Sequence, residues 1–409
     1  MLSRWIKRAA LVLGALVLAV VAWDVATYDE RAWLADYDRL KRDMAQGYAN
    51  LDWMVERRGV DLVALDRKTT AELGNAHSRL RAFLALRRFV RSFNDPHFRM
   101  KPGERPAPAA EPATATTAAQ ASLMSAPEPV DAPSGADCAA SGYEEGEHAF
   151  DFPFARMPGW TPLREGDFPS GLVGDTGVLR IAQFGEDRYL AACEAVFKPG
   201  IGERELKLAV RSRQQALLKD TLAELRSRGA RRLLVDISGN GGGTEWVSSV
   251  IELMTDKPLA RREARIVGPA CDRSAVWRGE AAPCPVFEVD SGERATLQGD
   301  GTWRGPVMIL ADRGTGSAAE DFVAWLQQNK VATVLGDRTA GAGCGYVGDL
   351  EPTRLSAVPV DVWMPNCARL MDDGTNEVEG IAPDVPLPMG DDADPAVQAR
   401  ALAEFLARG

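Results

Sequence analysis

Between residues 30 and 93 the apolar positions recur at helical spacing. In "SRLRAFLALRRFV", Leu80, Phe83 and Leu84 fall at i, i+3 and i+4 with arginines between them. That spacing predicts one apolar stripe on a solvated helix, with His77 one turn earlier reading as a helix-face residue. The periodicity stops at "FNDPHFRM", where Asn94, Asp95 and Pro96 are turn formers. Residues 101–140 then change character. Proline, alanine and threonine dominate, with too few large apolar side chains to bury a core, and a flexible connector is expected there.

Beyond residue 170 the pattern alternates. "GVLRIAQF" reads as a strand, and the helix that follows carries Leu218, Leu222 and Leu225 on one face before closing on Gly229. "RRLLVDI" and "GPVMILAD" are short apolar runs of the kind found in strands covered on both faces. "SAAEDFVAWLQQN" predicts a helix with Ala319, Phe322, Val323 and Leu326 inward, and "VATVLGD" is strand again. Alternation of this kind implies right-handed crossovers and a mostly parallel sheet flanked by helices, an α/β core preceded by a helical region.

Sheets so built gather their chemistry at the carboxyl ends of the strands, and two ends stand out. After "LLVDI" comes "SGNGGGTEW", whose glycines leave backbone N–H groups open to an anion. After "VMIL" comes "ADRGTGSAAEDF", which sets Ser317 at a helix start with Glu320 three residues on. S-x-x-E is a capping box, so Ser317 reads first as a helix cap. Both loops should leave the same side of the sheet, which brings the glycine N–H groups near the Ser317 hydroxyl and makes an attacking serine the competing role.

Charge narrows the field of partners. The 409-residue chain carries a formal net charge of -10, which argues against nucleic acid. Arg4, Lys7 and Arg8 precede the apolar run "LVLGALVLAVVAW", the layout of an export signal or an N-terminal membrane anchor over residues 1–29. An exported, periplasmic, membrane-anchored or secreted protein is expected, with inner-membrane association through that segment. The six cysteines then fit disulfides, and nearness in sequence favours Cys271 with Cys284 and Cys344 with Cys367. His77, His97 and His148 lack metal-ligand spacing, so neither a metal nor another cofactor is expected.

With "LLVDISGNGGG", "GPVMILADRGTGSAAEDFVAWLQQNKVATVLGDRTAGAG", "NEVEGIAPDVPLP" and the helical region closing on "NDPHF", the chain resembles the tail-specific, or C-terminal-processing, serine protease family, whose wider clan includes the tricorn protease. The resemblance spans roughly residues 30–100 and 170–390. It implies a ClpP/crotonase-like core over residues 141–409 and a serine-type endopeptidase acting on peptide or protein through an acyl-enzyme. Carried over residue by residue, the nucleophile falls on Ser317. Its oxyanion hole falls on the N–H of Ala318 with that of Gly242 or Gly243, donors that acyl transfer needs.

A serine must be activated by a base. The serine–lysine branch places its lysine in "T-x-G-K-G", where this chain has "RTAGAG" with Ala342 at the lysine position. Lys330 lies 13 residues along the helix, about 20 Å from Ser317 at 1.5 Å per residue, and cannot substitute. The tricorn-like branch draws a histidine from the N-terminal region, which matches His97, and an imidazole suits the role. A glutamate ahead of "G-x-x-P-D" should support it, with spacing favouring Glu377 over Glu379. In that branch a serine precedes the histidine, whereas Pro96 stands here with neither hydroxyl nor N–H. Many members also insert a PDZ module, for which this chain has no room. A peptidase-like module that binds peptide or apolar ligand without hydrolysis is the alternative.

Overall fold

A computed structural model of the chain describes residues 2–103, 134–267, 272–282, 284, 294–348, 350–390 and 393–408. The chain divides into two compact units, one drawn from residues 1–110, 265–291 and 345–368 and the other from 111–264, 292–344 and 369–409. The stretch read as a single core from residue 141 onward therefore contributes two segments to the first unit.

The first unit is mainly helical. It contains α1 (Leu2–Ala26), α2 (Glu30–Gly47), α3 (Leu51–Glu56), α4 (Leu62–Gly74) and α5 (Arg79–Arg91). Asp29, Asp61 and Ser78 cap α2, α4 and α5 by accepting first-turn N–H groups, which fixes where each helix begins. Trp33, Tyr37, Leu40, Met44, Leu86, Phe89 and Phe93 form its core. The stripe expected on α5 is turned: Leu80 and Leu84 are exposed, while Ala82, Ala85, Leu86, Phe89 and Val90 are buried. Alanine lets the helix approach its neighbours, and Phe89 is the residue that reaches the ring of Tyr37, at 5.1 Å between centroids. Strand β1 (Arg99–Pro102) occupies the start of the expected connector and pairs antiparallel with β12 (Val360–Trp363), which also pairs with β11 (Thr353–Arg354). A short ladder joins β7 (Arg265–Ile266) to β13 (Cys367–Ala368). Residues 104–133 of the connector lie outside the described residues. Along α1 the side chains of Leu11, Leu13, Leu16 and Leu18 are exposed. Among the described residues no single helix is long and apolar enough to cross a membrane.

The second unit is built on a seven-stranded sheet. Its strands are β2 (Trp160–Arg164), β3 (Ser170–Val173), β4 (Thr176–Arg180), β5 (Arg232–Asp236), β9 (Val307–Ala311), β10 (Ala332–Gly336) and β14 (Val385–Pro386). They lie in the order β14-β10-β9-β5-β4-β3-β2, parallel from β14 to β4 and antiparallel beyond. Helices α6 (Leu190–Glu194), α7 (Glu203–Ser227), α8 (Trp246–Leu253), α9 (Ala318–Gln328) and α10 (Pro395–Arg408) complete it, with the antiparallel pair β6 (Pro258–Arg262) and β8 (Arg294–Gln298). The core on one face of the sheet takes Leu218, Leu222 and Leu225 from α7 and Ala319, Phe322, Val323 and Leu326 from α9, the residues expected from their spacing. A second core under α10 gathers Phe154, Val178, Leu234, Leu310 and Leu402 on the other face. Successive residues of β4, β5 and β9 thus feed two cores, which is why Val178–Leu179, Leu233–Val235 and all of β9 are apolar without alternation.

Sequence nearness does not decide the disulfide described in full. Cys138 bonds Cys193, 55 residues away, and both are buried in the larger core. Cys284, Cys344 and Cys367 are also disulfide-bonded. Cys271, expected to pair with Cys284, lies outside the described residues.

Candidate active site

The turns after β5 and β9 are laced together before any catalytic group is considered. One carboxylate oxygen of Asp312 accepts the N–H groups of Gly239 at 2.8 Å, Gly314 at 2.9 Å and Thr315 at 3.1 Å. The buried Thr315 hydroxyl reaches the carbonyl of Ile237 at 3.0 Å, and the Gly316 N–H donates to the carbonyl of Asn240 at 2.9 Å. Asn240 is itself fixed by donating to the carbonyl of Ile181 at 2.9 Å. None of these bonds involves Ser317. Together they define where it must stand.

Ser317 immediately precedes α9 with φ 55° and ψ −117°. A positive φ on a non-glycine residue costs about 1–3 kcal/mol and persists only where its surroundings enforce it. Glu320 is part of that enforcement. Fully buried, its carboxylate accepts the Ser317 N–H at 2.9 Å, the Thr339 hydroxyl at 2.6 Å, the Gly341 N–H at 2.7 Å and the Gly343 N–H at 2.8 Å. Burial raises its carboxyl above the ordinary value even with these donors around it. The capping box is therefore present, and its glutamate also holds the loop over residues 339–343.

Arg369 secures the other side of Ser317. It donates to the carbonyl of Ser317 at 2.9 Å and to that of Gly343 at 3.2 Å, while its Nε bonds Glu377 at 2.7 Å. Arg261 takes the second oxygen of Glu377 and also pairs with Asp321. Glu377 is 1% exposed. Burial works to raise its carboxyl, but the guanidiniums of Arg369 and Arg261 overcome this and hold it below the ordinary carboxylate value. It is neither a solvated loop residue nor an isolated acid. Arg369 and Arg261 carried no motif in the sequence, and Arg261 meets Glu377 across 116 positions, where no local pattern could have pointed to it.

The head of α9 and the glycine turn after β5 bring backbone N–H groups beside Ser317. At the first position of α9 the Ala318 N–H has no acceptor within its own helix, the usual condition of a helix start. Gly242 lies against Ser317 so closely that a Cβ on it would stand 2.7 Å from the Ser317 Cβ. Its N–H, however, is spent on the side chain of Asn240 at 2.8 Å. Gly243 follows at φ 150°, exposed, with its Cα against the backbone of Phe184. Of the two glycines, Gly243 is the one whose N–H makes no hydrogen bond among the described residues. Ala342, at the expected lysine position, has its methyl about 3.5 Å from where a Cβ on Gly316 would sit, so a methyl borders the turn that carries Ser317. Lys330 follows the far end of α9.

His97 is fixed within the first unit. Its N–H donates to Asp95 Oδ1 at 2.9 Å, its carbonyl accepts the Tyr346 hydroxyl, and its ring meets that of Tyr346 edge-on at 5.2 Å. Asp95 is held in turn by Tyr48 and Asn50, both at 2.9 Å. Gly345, at φ 73°, closes on the imidazole so tightly that a Cβ there would lie 2.9 Å from the ring. Pro96, lacking an N–H, is compatible with this turn because Asp95 captures the next N–H along.

A family model of peptidase family S41 matches residues 175–387. The tail-specific protease of Haemophilus influenzae is 25% identical over 180 residues, which is 42% of this chain and 22% of that protein. The chain thus matches about a fifth of the length of that curated relative. Among solved structures, mature CPAF complexed with lactacystin superposes with a TM-score of 0.58 at 16% identity, covering 93% of this chain and 97% of the other. A candidate peptidase from Parabacteroides merdae gives 0.56 at 15% identity, covering 93% and 98%. At such identities the likeness describes the fold, and it extends over the helical region as well as the sheet.

Proposed function

Because the chain belongs to peptidase family S41, we propose that it is an exported serine-type peptidase that cleaves peptide bonds through an acyl-enzyme on Ser317. The observation that carries this is the enforced backbone of Ser317 at the start of α9. A hydroxyl on such a turn is presented to a substrate carbonyl, with the Ala318 and Gly243 N–H groups as donors to the oxyanion that develops. Fixed donors of this kind need no rearrangement as charge builds, and one of them is worth about 10²–10³ in kcat.

His97 is the general base in this mechanism. Its imidazole takes the Ser317 proton as the hydroxyl oxygen attacks the carbonyl carbon, then returns it to the leaving amine; water repeats the cycle to release the acid. Glu377 acts through position rather than by direct proton transfer. Its carboxylate anchors Arg369, and Arg369 holds the carbonyl of Ser317. Export is supported by the charged and apolar N-terminal segment together with the buried Cys138–Cys193 bond, since such bonds persist in oxidising compartments.

A second reading has one observation in its favour. With Ala342 where a dyad lysine would stand, the chain could be a peptidase-like module that binds peptide or apolar ligand without cutting it. A fluorophosphonate probe separates the two. Covalent labelling of Ser317, lost in Ser317→Ala, supports the hydrolase; a folded protein that binds peptide but takes no label supports the module.

A further inference from the structure

The segment that follows Cys138 brings Glu145 and His148 beside Asp167, with one potential ligand atom from each within 4.8 Å of the others. The imidazole is the informative member. His148 is 6% exposed, and its ring stacks on Tyr189 at 4.6 Å with planes 27° apart, so its orientation is set by packing. Nε2 lies 3.1 Å from the carbonyl of Arg188. A carbonyl can only accept, so Nε2 carries the proton and Nδ1 is left with its lone pair. Among the described residues the buried Nδ1 has no hydrogen-bond partner, while Glu145 approaches the ring from the other side, its Oε1 3.9 Å from Nε2. An imidazole whose one nitrogen donates to a backbone carbonyl while the other is bare is the usual arrangement of a metal-ligating histidine.

We propose that His148, Glu145 and Asp167 form a site for a divalent transition cation of the zinc type. One imidazole nitrogen and two carboxylates suit such an ion better than magnesium or calcium, which prefer oxygen alone. Ligand atoms around a tetrahedral zinc stand about 3.4 Å apart, given bond lengths near 2.0–2.2 Å. Glu145 has an exposed side chain, so its carboxylate can swing from Nε2 to the Nδ1 side of the ring, where it and the half-buried Asp167 would close on the cation. Three protein ligands leave a fourth position for water. The cation would clamp two stretches of chain: the segment of Glu145 and His148, which forms a β-bridge with Tyr189, and the turn at Asp167. The site is separate from Ser317, and its existence does not depend on the catalytic role of that residue.

The test uses the full chain, stripped with a chelator and titrated with zinc against a chromophoric indicator. One equivalent of zinc should bind with micromolar or tighter affinity, and zinc at 100 times its Kd should raise Tm by about 5–11 °C for a domain of this size. Magnesium and calcium at the same concentration should not displace it. His148→Gln should weaken binding at least tenfold, and so should Glu145→Gln combined with Asp167→Asn, which spares the stack on Tyr189 should the first variant fold poorly. His77→Gln should leave binding unchanged. Absence of zinc binding by folded wild-type protein, or binding that neither variant weakens, would overturn the assignment.

Discussion

Glu320 and Arg369 determine what the serine can do, because each binds the Ser317 backbone directly: the carboxylate takes its N–H and the guanidinium its carbonyl. Glu320→Ala would strand the N–H groups of Ser317, Gly341 and Gly343 in a buried site, each costing about 1–3 kcal/mol if left unsatisfied. A fall in Tm together with loss of fluorophosphonate labelling is the expected result, measured by thermal unfolding and probe incorporation. Labelling at the wild-type rate would mean that the Ser317 conformation does not need this support. Arg369→Gln should be more damaging to stability, by about 3–5 kcal/mol, since it breaks a buried charge network and leaves Glu377 with a single guanidinium. The pH dependence has a definite sign. A carboxyl held below its ordinary value contributes stability that is complete above the unfolded carboxylate range and is lost as pH falls through the folded value. The stability gap between wild type and Arg369→Gln should therefore be full near neutrality and shrink as pH drops below about 4.3, the ordinary glutamate value. A gap that stayed constant down to pH 2 would show that Glu377 is not what the arginine stabilises.

The elements that carry the site divide into those whose cause is local and those whose cause is not. Helices α7 and α9 and the strands β5, β9 and β10 are legible because their apolar spacing is regular and their ends carry glycine, serine or aspartate. Ser317 at the head of α9 and the glycine run after β5 are legible for the same reason. The α5 stripe is not, since alanines at Ala82 and Ala85 bury a face that counting large side chains assigns to Leu80 and Leu84. Nor is the split between Gly242 and Gly243, which depends on where one asparagine side chain turns. The Arg261–Glu377 pair joins residues 116 positions apart and has no sequence pattern at all. Close packing of one turn on another yields a sharp expectation at element scale. Gly242→Ala introduces a methyl 2.7 Å from the Ser317 Cβ and 2.8 Å from the Ala318 nitrogen, at a φ of 107° that L side chains rarely adopt. The variant should fold, because the sheet beneath is untouched, yet lose labelling at least 100-fold. Unimpaired labelling, read by mass spectrometry, would mean that the glycine turn is not fitted against Ser317.

At the scale of the molecule, the Cys138–Cys193 bond closes a loop of 55 residues and ties the end of the connector to the core of the second unit. Chain-entropy arguments give such a cross-link about 4 kcal/mol. Reduction should lower the Tm of the second unit, and alkylation under non-reducing conditions should leave both of these cysteines unmodified. Two alkylated thiols in folded, unreduced protein would remove the bond and weaken the case for export with it. The central claim, that Ser317 is a nucleophile activated by His97, is tested most directly by the rate at which a fluorophosphonate modifies the intact chain. In wild-type protein the adduct should form stoichiometrically on the peptide containing Ser317, and His97→Gln should slow it at least 100-fold. No adduct on Ser317, or the same rate without His97, would contradict it.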